Sequence, residues 1–513
     1  MRAWTTLLLA VLAASSGCGG DSDPVRAVAH PPVVVLSLDE FPTDTLLRPD
    51  GRIDGERFPN FAALARISTW FPNGHTVFDS TFGSVPAILD ARLPRPGEAA
   101  DVRNHQPSVF HLMHRLGYDV IKSESATAVC PPRICTGARA RRPGILARLA
   151  GGGRPERLHR WIGAIRKRER PTFYYNHTLL PHEPWVYLPS GRLSRPTGED
   201  PIPGMNRWVG FHDARLTEHN QARYLLQVGY VDRQLGLLLR RLRRTGLLRQ
   251  SLLIVVADHG YSFDVGVRSR RKVTETNVEE IAPVPFFVKP PGRLEGRVDY
   301  GLVRTVDVVP TIADLIGARV TWPHDGRPAF SAATRRRDEV RLRTRDFRRT
   351  IRIGREELER RRRAIRVARA RTFGTGAQSS LLFGDPWATV YRVGPNARLL
   401  GRRVAALEVR GVGLARAAVA NAGLLRHVAL GEEVRPTRVT GVLRRNGRGR
   451  LRDLAVAVNG RIRAVGRSFR LRRRRNEYFS MVVPESSLRP GPNLVELFEV
   501  RRAGRLVPVR RAG

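Results

Sequence analysis

Residues 251–260 read SLLIVVADHG and predict the centre of the fold. The apolar run 252–256 is rich in β-branched side chains, which is typical of a strand buried on both faces of a parallel sheet. The run ends on Asp258 and His259, at the carboxyl end of the strand, where open α/β sheets place their ligands. A carboxylate beside an imidazole suits a metal ion of intermediate softness, although the dipeptide alone fits a solvated turn equally well.

A second stretch of the same design lies near the start of the chain. Residues 32–41 read PVVVLSLDEF, a β-branched run that ends on Asp39 and Glu40. Because the carboxyl ends of parallel strands meet at one edge of a sheet, we expect these two acids to converge with Asp258 and His259. Such a cluster of oxygen and nitrogen ligands favours a metal site.

The early acidic pair, the later VADHG at 256–260 and the segment VPFFVKPPG at 284–292 together resemble the sulfatase-like branch of the alkaline phosphatase superfamily. The resemblance extends from about residue 31 to about residue 330. It implies an α/β three-layer sandwich with a mostly parallel central sheet. It also implies one divalent metal ion, with Zn or Mn favoured and Ca or Mg as alternatives, held by Asp39, Asp258 and His259, with Glu40 as a further ligand.

The loop 75–89, HTVFDSTFGSVPAIL, contains the candidate nucleophile. In the family the nucleophile stands at the start of a helix, where free backbone amides and the helix dipole stabilise an incoming anion. Pro86 is tolerated in a first helical turn, so a helix that starts near Ser84 is expected. Similarity to the family's loop places Thr81 at the nucleophile position, with Ser80 and Ser84 as its nearest competitors. A helix cap without any chemistry is the alternative interpretation.

The same loop departs from the sulfatase pattern. A true sulfatase has Cys or Ser within a Cys/Ser-x-Pro-x-Arg sequence that is oxidised to formylglycine, whereas residues 81–85 read TFGSV. Because threonine cannot become formylglycine, ordinary sulfate-ester hydrolysis is doubtful. The Thr-x-x-Ser-x-Pro pattern is closer to the phosphoethanolamine and glycerophosphate transferases of the superfamily.

Two further residues resemble substrate contacts of the family. His182 lies in His-Glu-Pro, and Lys272 lies in a basic cluster, where Arg271 is an equal candidate. His177 is a weaker candidate, since core packing explains it as well. Tyr261 replaces a Glu that the family commonly has, which favours a single-metal centre, although His182 and His177 could supply a second site.

The formal charge is strongly positive: 89 Lys and Arg minus 47 Asp and Glu gives +42. Arginine accounts for nearly all of this charge, a skew that a G+C-rich coding bias would produce. Because no recognised binding motif accompanies the charge, we predict no specific nucleic-acid partner.

The N-terminus predicts export. Arg2 precedes an apolar run at 7–14, which is too short to span a bilayer, and small residues precede Cys18 as in a lipoprotein cleavage box. Lipidation of Cys18 would attach the protein to a membrane surface; a periplasmic or extracellular protein is the other option. Cys130 and Cys135, in CPPRIC, then form an even pair at short spacing that predicts a small disulfide loop.

Five segments are expected along the chain. They are a lipoprotein-like signal peptide at 1–18, a linker at 19–30, a sulfatase-like catalytic domain at 31–330, an Arg-rich helical connector at 331–372 and a β-rich accessory domain at 373–513. The connector is expected to be solvated, with an anionic-membrane contact as the functional alternative. Asn459-Gly460 between two apolar runs predicts a hairpin in the last segment.

The sequence therefore predicts metal-dependent hydrolysis or transfer of a phospho- or sulfo-ester outside the cytoplasm, through a covalent intermediate on Thr81. The expected partner is an anionic ester, and a lipid-linked or cell-wall-linked ester is one option. The alternative is a catalytically inactive envelope protein that keeps the fold and binds anionic polymer.

Overall fold

The computed structural model describes residues 30–512, apart from 125, 136–152, 199, 204, 206–212, 268, 412, 414, 430, 432, 445–449 and 472–475. The predicted signal peptide, most of the predicted linker and Cys18 lie outside the described residues. Within the described ranges, no helix combines the length and the hydropathy that crossing a bilayer requires.

The centre of the molecule is a seven-stranded sheet in the order β3-β4-β1-β5-β6-β2-β7. Strands β3, β4, β1 and β5 run parallel, whereas β6 is antiparallel to both of its neighbours. The strands are β1 (Val33–Asp39), β2 (Thr69–Trp70), β3 (Asp119–Glu124), β4 (Thr172–Pro181), β5 (Leu252–Ala257), β6 (Phe286–Lys289) and β7 (Arg297–Val298).

Alternation along the central strands builds a core on each face of the sheet. In β1, Val34 and Leu36 belong to one apolar cluster and Val33 and Val35 to the other. The same alternation holds in β5, and every residue of both strands is buried. A strand that is apolar on both faces requires a layer of helices on each side. The predicted mostly parallel α/β three-layer sandwich is therefore confirmed.

Helices cover both faces of this sheet. They are α1 (Pro59–Ala65), α2 (Thr81–Asp90), α3 (Val109–Arg115), α4 (Arg154–Ala164), α5 (Ala214–Arg244), α6 (Leu247–Gln250), α7 (Val278–Ile281) and α8 (Val308–Leu315). The long helix α5 packs against α1, and its Asp232 accepts hydrogen bonds from the backbone N–H groups of Asn60 and Phe61 at 3.0 and 2.8 Å. This carboxylate satisfies amides at the start of α1 that have no partner within that helix.

The Arg-rich connector packs on the catalytic region. It comprises α9 (Ala332–Arg335), the hairpin β8 (Glu339–Arg343) and β9 (Thr350–Gly354), and α10 (Arg355–Phe373). Arg362 and Arg366 of α10 are buried and pair with Asp44 at 2.7 and 2.8 Å. The expectation of a solvated connector is thus wrong for α10, because a distant carboxylate neutralises its inward arginines.

The last part of the chain is rich in strands, as predicted. A short helix α11 (Gly376–Phe383) precedes two main sheets, in the orders β15-β16-β12-β10-β20 and β14-β13-β18-β19. The Asn459-Gly460 hairpin is confirmed, since both residues have positive φ and join β13 to β14. The remaining elements are β10 (Arg416–Val419), α12 (Ala422–Arg426), β11 (His427–Val428), β12 (Arg438–Arg444), β13 (Asp453–Val458), β14 (Arg461–Arg467), β15 (Phe469–Arg470), β16 (Glu477–Val482), β17 (Gly491–Pro492), β18 (Val495–Val500), β19 (Leu506–Pro508) and β20 (Arg510–Arg511).

Candidate metal centre and active site

The two predicted acidic strand ends lie side by side. Asp39 is the last residue of β1, and Asp258 follows β5 directly on the neighbouring strand. The backbone N–H groups of Glu40 and His259 donate to Asp258 Oδ1 at 3.3 and 2.6 Å. Glu40 adopts a positive φ of 59°, an uncommon conformation for a residue of this size that typically occurs at functional sites. All four predicted ligands are buried.

Thr81 points its hydroxyl at this acidic cluster. Thr81 Oγ1 lies 3.4 Å from Asp39 Oδ1 and 3.3 Å from His259 Nε2. Helix α2 begins at Thr81 and not near Ser84 as predicted, so the hydroxyl stands at the N-terminus of the helix. The Ser84 hydroxyl instead donates to the Phe78 carbonyl at 2.7 Å, which gives it a structural role. The structure thus brings Thr81, and not Ser84, to the acids.

His177 belongs to the cluster more closely than the sequence suggested. It lies on β4 beside β1, with Nε2 3.8 Å from Asp258 Oδ2 and Nδ1 3.7 Å from Glu124 Oε1. Ligand atoms of Asp39, His177 and Asp258 all lie within 4.8 Å of one another. The available signal was a histidine directly after the strand-like run 172–176. That signal could not be separated from core packing without the strand order.

The cluster has the donor set that a divalent cation requires. Asp258 Oδ2 is buried and accepts no hydrogen bond from the described residues. Burial raises the pKa of Asp39 well above its usual range, and the nearby charges of Asp258 and Glu40 raise it further. Buried carboxylates that repel one another are stabilised by a bound cation, and imidazole with carboxylate suits Zn or Mn. The residues present therefore fit a metal of this kind.

His259 is held in one tautomer. Its Nδ1 donates to the Gly260 carbonyl at 2.8 Å, so the lone pair of Nε2 faces Thr81. A backbone carbonyl on the second ring nitrogen is the usual way to orient a ligating or proton-accepting histidine. The adjacent Gly260 carbonyl therefore sets the orientation of the His259 ring. The packing around the sheet determines that Thr81 faces the Nε2 of that ring.

A cationic group borders the acids on the Glu40 side. Arg271 Nε contacts Glu40 Oε1, and Arg271 Nη2 donates to His182 Nε2 at 2.9 Å. Arg270 Nη2 lies 3.4 Å from Glu40 Oε1 and 2.7 Å from Glu183 Oε1. Burial alone would raise the pKa of Glu40, but Arg270 and Arg271 hold it well below its usual range. Glu40 is therefore anionic, and the arginines offer N–H groups beside it.

His182 lies at the site, where the sequence predicts it, and its imidazole is neutral. Its Nδ1 donates to the Glu183 carbonyl at 2.7 Å, and its Nε2 lies 3.5 Å from Glu40 Oε1. Burial lowers the pKa of His182 well below its usual range against the opposing effect of Glu40, and Arg271 and Arg270 lower it further.

Lys272 is not brought to this cluster. Its Nζ lies 3.7 Å from Asp346 Oδ2 at a half-exposed position. The alternative, Arg271, occupies the inner position. Lys272 points away from the cluster because its partner, Asp346, lies in the turn of the hairpin β8–β9. The sequence alone could not predict where that hairpin packs.

Two residues that sequence reasoning missed hold the turn that presents His182. The buried Arg154 donates from Nη1 to the carbonyls of Leu179 and His182 at 2.8 and 2.6 Å. Gln227 Nε2 donates to the carbonyls of Pro181 and His182 at 2.8 and 2.9 Å. No local pattern identifies either residue, because both act on a segment that is distant in sequence.

Tyr261, which stands in place of a Glu, packs within an aromatic group. Its ring lies 5.8 Å from the Tyr224 ring and 5.5 Å from the Trp185 ring. The Arg270 guanidinium lies 5.5 Å above the Tyr261 ring, which stabilises this cation by its π face. Tyr261, in place of the family's Glu, therefore stabilises the Arg270 guanidinium and does not supply a metal ligand.

Cys130 and Cys135 form a disulfide in the structure, with Cα atoms 6.2 Å apart. They lie in the loop after β3, and the chain then enters the range 136–152 that the structure does not describe.

Buried acids, imidazoles and a hydroxyl at a helix N-terminus, all at the carboxyl edge of a mostly parallel sheet, place this chain in the class of α/β proteins that bind their ligands at that edge. Residues 155–318 match the family model described as Sulfatase. This match includes His177, His182, Asp258 and His259. Asp39 and Thr81 lie outside the matched range, and the tertiary structure brings them close to these residues.

Relatives in three bacteria agree with this class. The chain is 33% identical to an endo-4-O-sulfatase of Bacteroides thetaiotaomicron over 20% of either chain. It is 23% identical to a choline-sulfatase of Rhizobium meliloti over 56% of this chain and 68% of the relative. It is 26% identical to a lipoteichoic acid synthase of Staphylococcus saprophyticus over 30% of this chain and 22% of the relative. The matched regions thus span about a fifth of the length of two of these relatives. The predicted resemblance to sulfatases is therefore confirmed over residues 155–318.

Proposed function

We propose that this protein is a metal-dependent enzyme that hydrolyses or transfers a phospho- or sulfo-ester group through a covalent intermediate on Thr81. The observation that supports this most directly is the position of Thr81 Oγ1, 3.4 Å from Asp39 Oδ1 and 3.3 Å from His259 Nε2. A hydroxyl within reach of two proton acceptors, at the start of a helix, is placed for nucleophilic attack.

Asp39, Asp258 and His259 would hold the metal, with Glu40 or His177 as a further ligand. When bound, a Zn or Mn ion supplies a Lewis acid that polarises the ester oxygen and favours the deprotonated hydroxyl.

Thr81 would form the covalent bond to phosphorus or sulfur while the bond from that atom to the ester's alcohol breaks, and the alcohol leaves with the proton that Thr81 gave up. Water or an acceptor alcohol then displaces Thr81 and restores its hydroxyl. Its hydroxyl is directed toward Asp39 and His259, either of which can accept its proton. Helix α2 begins at Thr81, so its N-terminal amides would stabilise the oxygens that the attack makes more negative. Because residue 81 is threonine, the intermediate would be an ordinary ester rather than a formylglycine adduct, which favours a phosphoryl over a sulfuryl group.

Arg271 would bind the anionic end of the substrate, and His182 would orient this arginine by accepting the Arg271 Nη2–H at 2.9 Å. A preorganised guanidinium of this kind stabilises charge that develops during transfer. This assignment replaces Lys272, whose side chain faces Asp346.

The decisive experiment is to trap the intermediate. Wild type, Thr81→Ala and Thr81→Ser would be incubated with a phosphodiester, a phosphomonoester and an aryl sulfate in Zn, Mn or Ca, and the quenched protein mapped by mass spectrometry. We expect a modified Thr81 in wild type, partial activity in Thr81→Ser and none in Thr81→Ala.

Ser80→Ala is the matched control, since Ser80 is the preceding hydroxyl and its side chain makes no cap hydrogen bond to α2. Modification of Ser80 in wild type, or unchanged turnover in Thr81→Ala, would contradict the assignment. Adding an acceptor alcohol would separate transfer from hydrolysis by the product formed.

The second candidate is an inactive envelope protein that binds anionic polymer. The observation in its favour is that Arg270 and Arg271 already neutralise Glu40, one of the proposed ligands. Absence of bound metal and of turnover with all three ester classes would support this alternative.

We also propose that the protein is exported and that lipidated Cys18 attaches it to a membrane, where a lipid-linked or cell-wall-linked ester would be accessible. Metabolic labelling with a fatty acid would test this directly. The label should be present in wild type and lost in Cys18→Ser.

A further inference from the structure

A run of exposed apolar side chains ends helix α11. Leu381, Leu382 and Phe383 are 87%, 58% and 44% exposed. Among the described residues this is the one place where three consecutive large apolar side chains face solvent; the other exposed apolar residues include Val409, Leu451 and Leu494, which stand apart. Scattered apolar residues are normal on a protein surface, but a contiguous group indicates an interaction site.

The start of α11 is fixed to the body of the protein, because the Gly376 N–H donates to Asp54 Oδ2 at 2.7 Å. The Ser379 hydroxyl donates to the Asp385 carbonyl at 2.6 Å and so joins the helix to the loop that follows it. The Thr375 side chain caps the helix by accepting a hydrogen bond from the Gln378 N–H. These contacts hold the helix in place, so the apolar tip is presented in a defined orientation.

The segment before α11 is anchored in the same way. The buried Arg57 donates to the carbonyls of Phe373 and Gly374 at 2.8 and 3.0 Å and to that of Pro386 at 2.8 Å. A single guanidinium thus ties both ends of the α11 segment together. The exposed tip is therefore a feature of the folded chain rather than a frayed end.

Charge favours one kind of occupant. The Arg392 guanidinium lies 4.9 Å from the centre of the Phe383 ring. An apolar tip beside an arginine is typical of surfaces that enter the interface of a membrane with anionic lipids. A second copy of this chain is a less suitable partner, because each copy has a formal charge of +42.

We propose that Leu381, Leu382 and Phe383 insert into the interfacial region of an anionic lipid bilayer, while Arg392 contacts the lipid phosphates. This docking surface is separate from the candidate active site, and it holds whether or not the proposed ester chemistry does. It is also independent of a lipid on Cys18, to which it would add a second membrane contact.

Vesicle sedimentation tests the proposal. The full chain carrying Cys18→Ser, so that every sample lacks the lipid, would be mixed with vesicles of phosphatidylglycerol and, separately, of phosphatidylcholine. Leu381→Ser, Leu382→Ser and Phe383→Ser would be combined in one variant. We expect that variant to bind phosphatidylglycerol vesicles at least about tenfold more weakly than the parent, since three apolar side chains no longer insert. Arg392→Gln should weaken binding and reduce its dependence on salt.

The matched control is Leu494→Ser, at a residue that is 56% exposed but isolated. Its binding should equal that of the parent chain. Equal binding by the triple variant, or an equal loss in Leu494→Ser, would overturn the proposal. Equal affinity for phosphatidylcholine would overturn the requirement for anionic lipid. A parent dimer that becomes a monomer in the triple variant would assign the surface to a second copy instead.

Discussion

Arg271 and Lys272 are adjacent in sequence, and the structure predicts that replacing them has very different effects on turnover. Arg271 contacts both Glu40 and His182 at the candidate site. Lys272 lies half-exposed with its Nζ 3.7 Å from Asp346. The two substitutions to methionine remove the same charge from the chain, so the pair isolates position from net charge.

The expected magnitudes follow from these contacts. Losing one preorganised donor at a developing anion typically costs about 10²–10³ in kcat, or about 2.7–4 kcal/mol of transition-state stabilisation. We expect a loss in this range for Arg271→Met. A surface ion pair contributes about 0–1 kcal/mol, so Lys272→Met should change kcat less than about fivefold.

The assay is steady-state kinetics on the ester that wild type turns over fastest, with kcat and KM determined separately. Arg271→Lys is the informative intermediate, because it keeps the charge but cannot contact Glu40 and His182 through one planar fork. Its kcat should lie between those of wild type and Arg271→Met. Thermal unfolding would verify that each variant is folded, and the remaining Arg270 contact to Glu40 at 3.4 Å limits the structural cost.

The opposite ranking would refute the reasoning. If Lys272→Met lost about a hundredfold or more while Arg271→Met stayed within about fivefold, the anion would bind at the position the sequence suggested and not at the one the structure presents.

Three further predictions concern stability. Asp44 neutralises the buried Arg362 and Arg366, so Asp44→Ala should lower the free energy of unfolding by about 3–5 kcal/mol in a denaturant titration. The control Asp50→Ala removes an exposed pair with Arg48 and should change the free energy of unfolding by less than about 1 kcal/mol. Similarly small losses in both variants would contradict the role of the buried pair. Burial lowers the pKa of Lys289 to about 7, and its Nζ donates to the carbonyls of Arg249 and Ser251 at 2.7 Å each. Between about pH 7 and pH 10 the unfolded chain then binds more protons than the folded chain, so the free energy of unfolding should rise with pH across that window. Denaturant midpoints should show this rise in wild type and not in Lys289→Met. An equal slope in both proteins would contradict the role of Lys289. Zn or Mn at about a hundred times its Kd should stabilise wild type by about 2.7 kcal/mol, and a chelator should reverse the gain. Asp258→Asn should abolish the response and His177→Ala should reduce it, as measured by thermal shift; an undiminished response in Asp258→Asn would remove that residue from the ligand set.

Part of the site could be predicted because it depends on local pattern. The apolar runs 33–38 and 252–257 identify strands buried on both faces, and the acids that follow them must lie at carboxyl ends. The strand order of the folded sheet, which makes β1 and β5 parallel neighbours, then brings Asp39 and Asp258 together. The Asn459-Gly460 turn is equally local, since its positive φ angles follow from residue type.

Other features depended on partners that are distant in sequence. The sequence predicts that α2 starts near Ser84, but the helix begins at Thr81 because Pro86 is accommodated inside it. The hydrogen bond from the Ser84 hydroxyl to the Phe78 carbonyl, which gives Ser84 a structural role, is visible only in the structure. Arg362 and Arg366 have the sequence pattern of a solvated helix, and only the proximity of Asp44 makes them buried.

The sequence by itself therefore determined the two acidic strand ends, because strand burial and the residues that end a strand are encoded locally, and its resemblance to a family supplied the expected fold class and the candidate nucleophile. Only the tertiary structure decided that Arg271 rather than Lys272 faces the acids, that His177 joins them and that Arg154 and Gln227 hold His182 in place. The physical reason is that hydrogen bonds and ion pairs between side chains are short-ranged in space. Which residues meet depends on strand order and loop path, and neither leaves a periodic signal in the sequence.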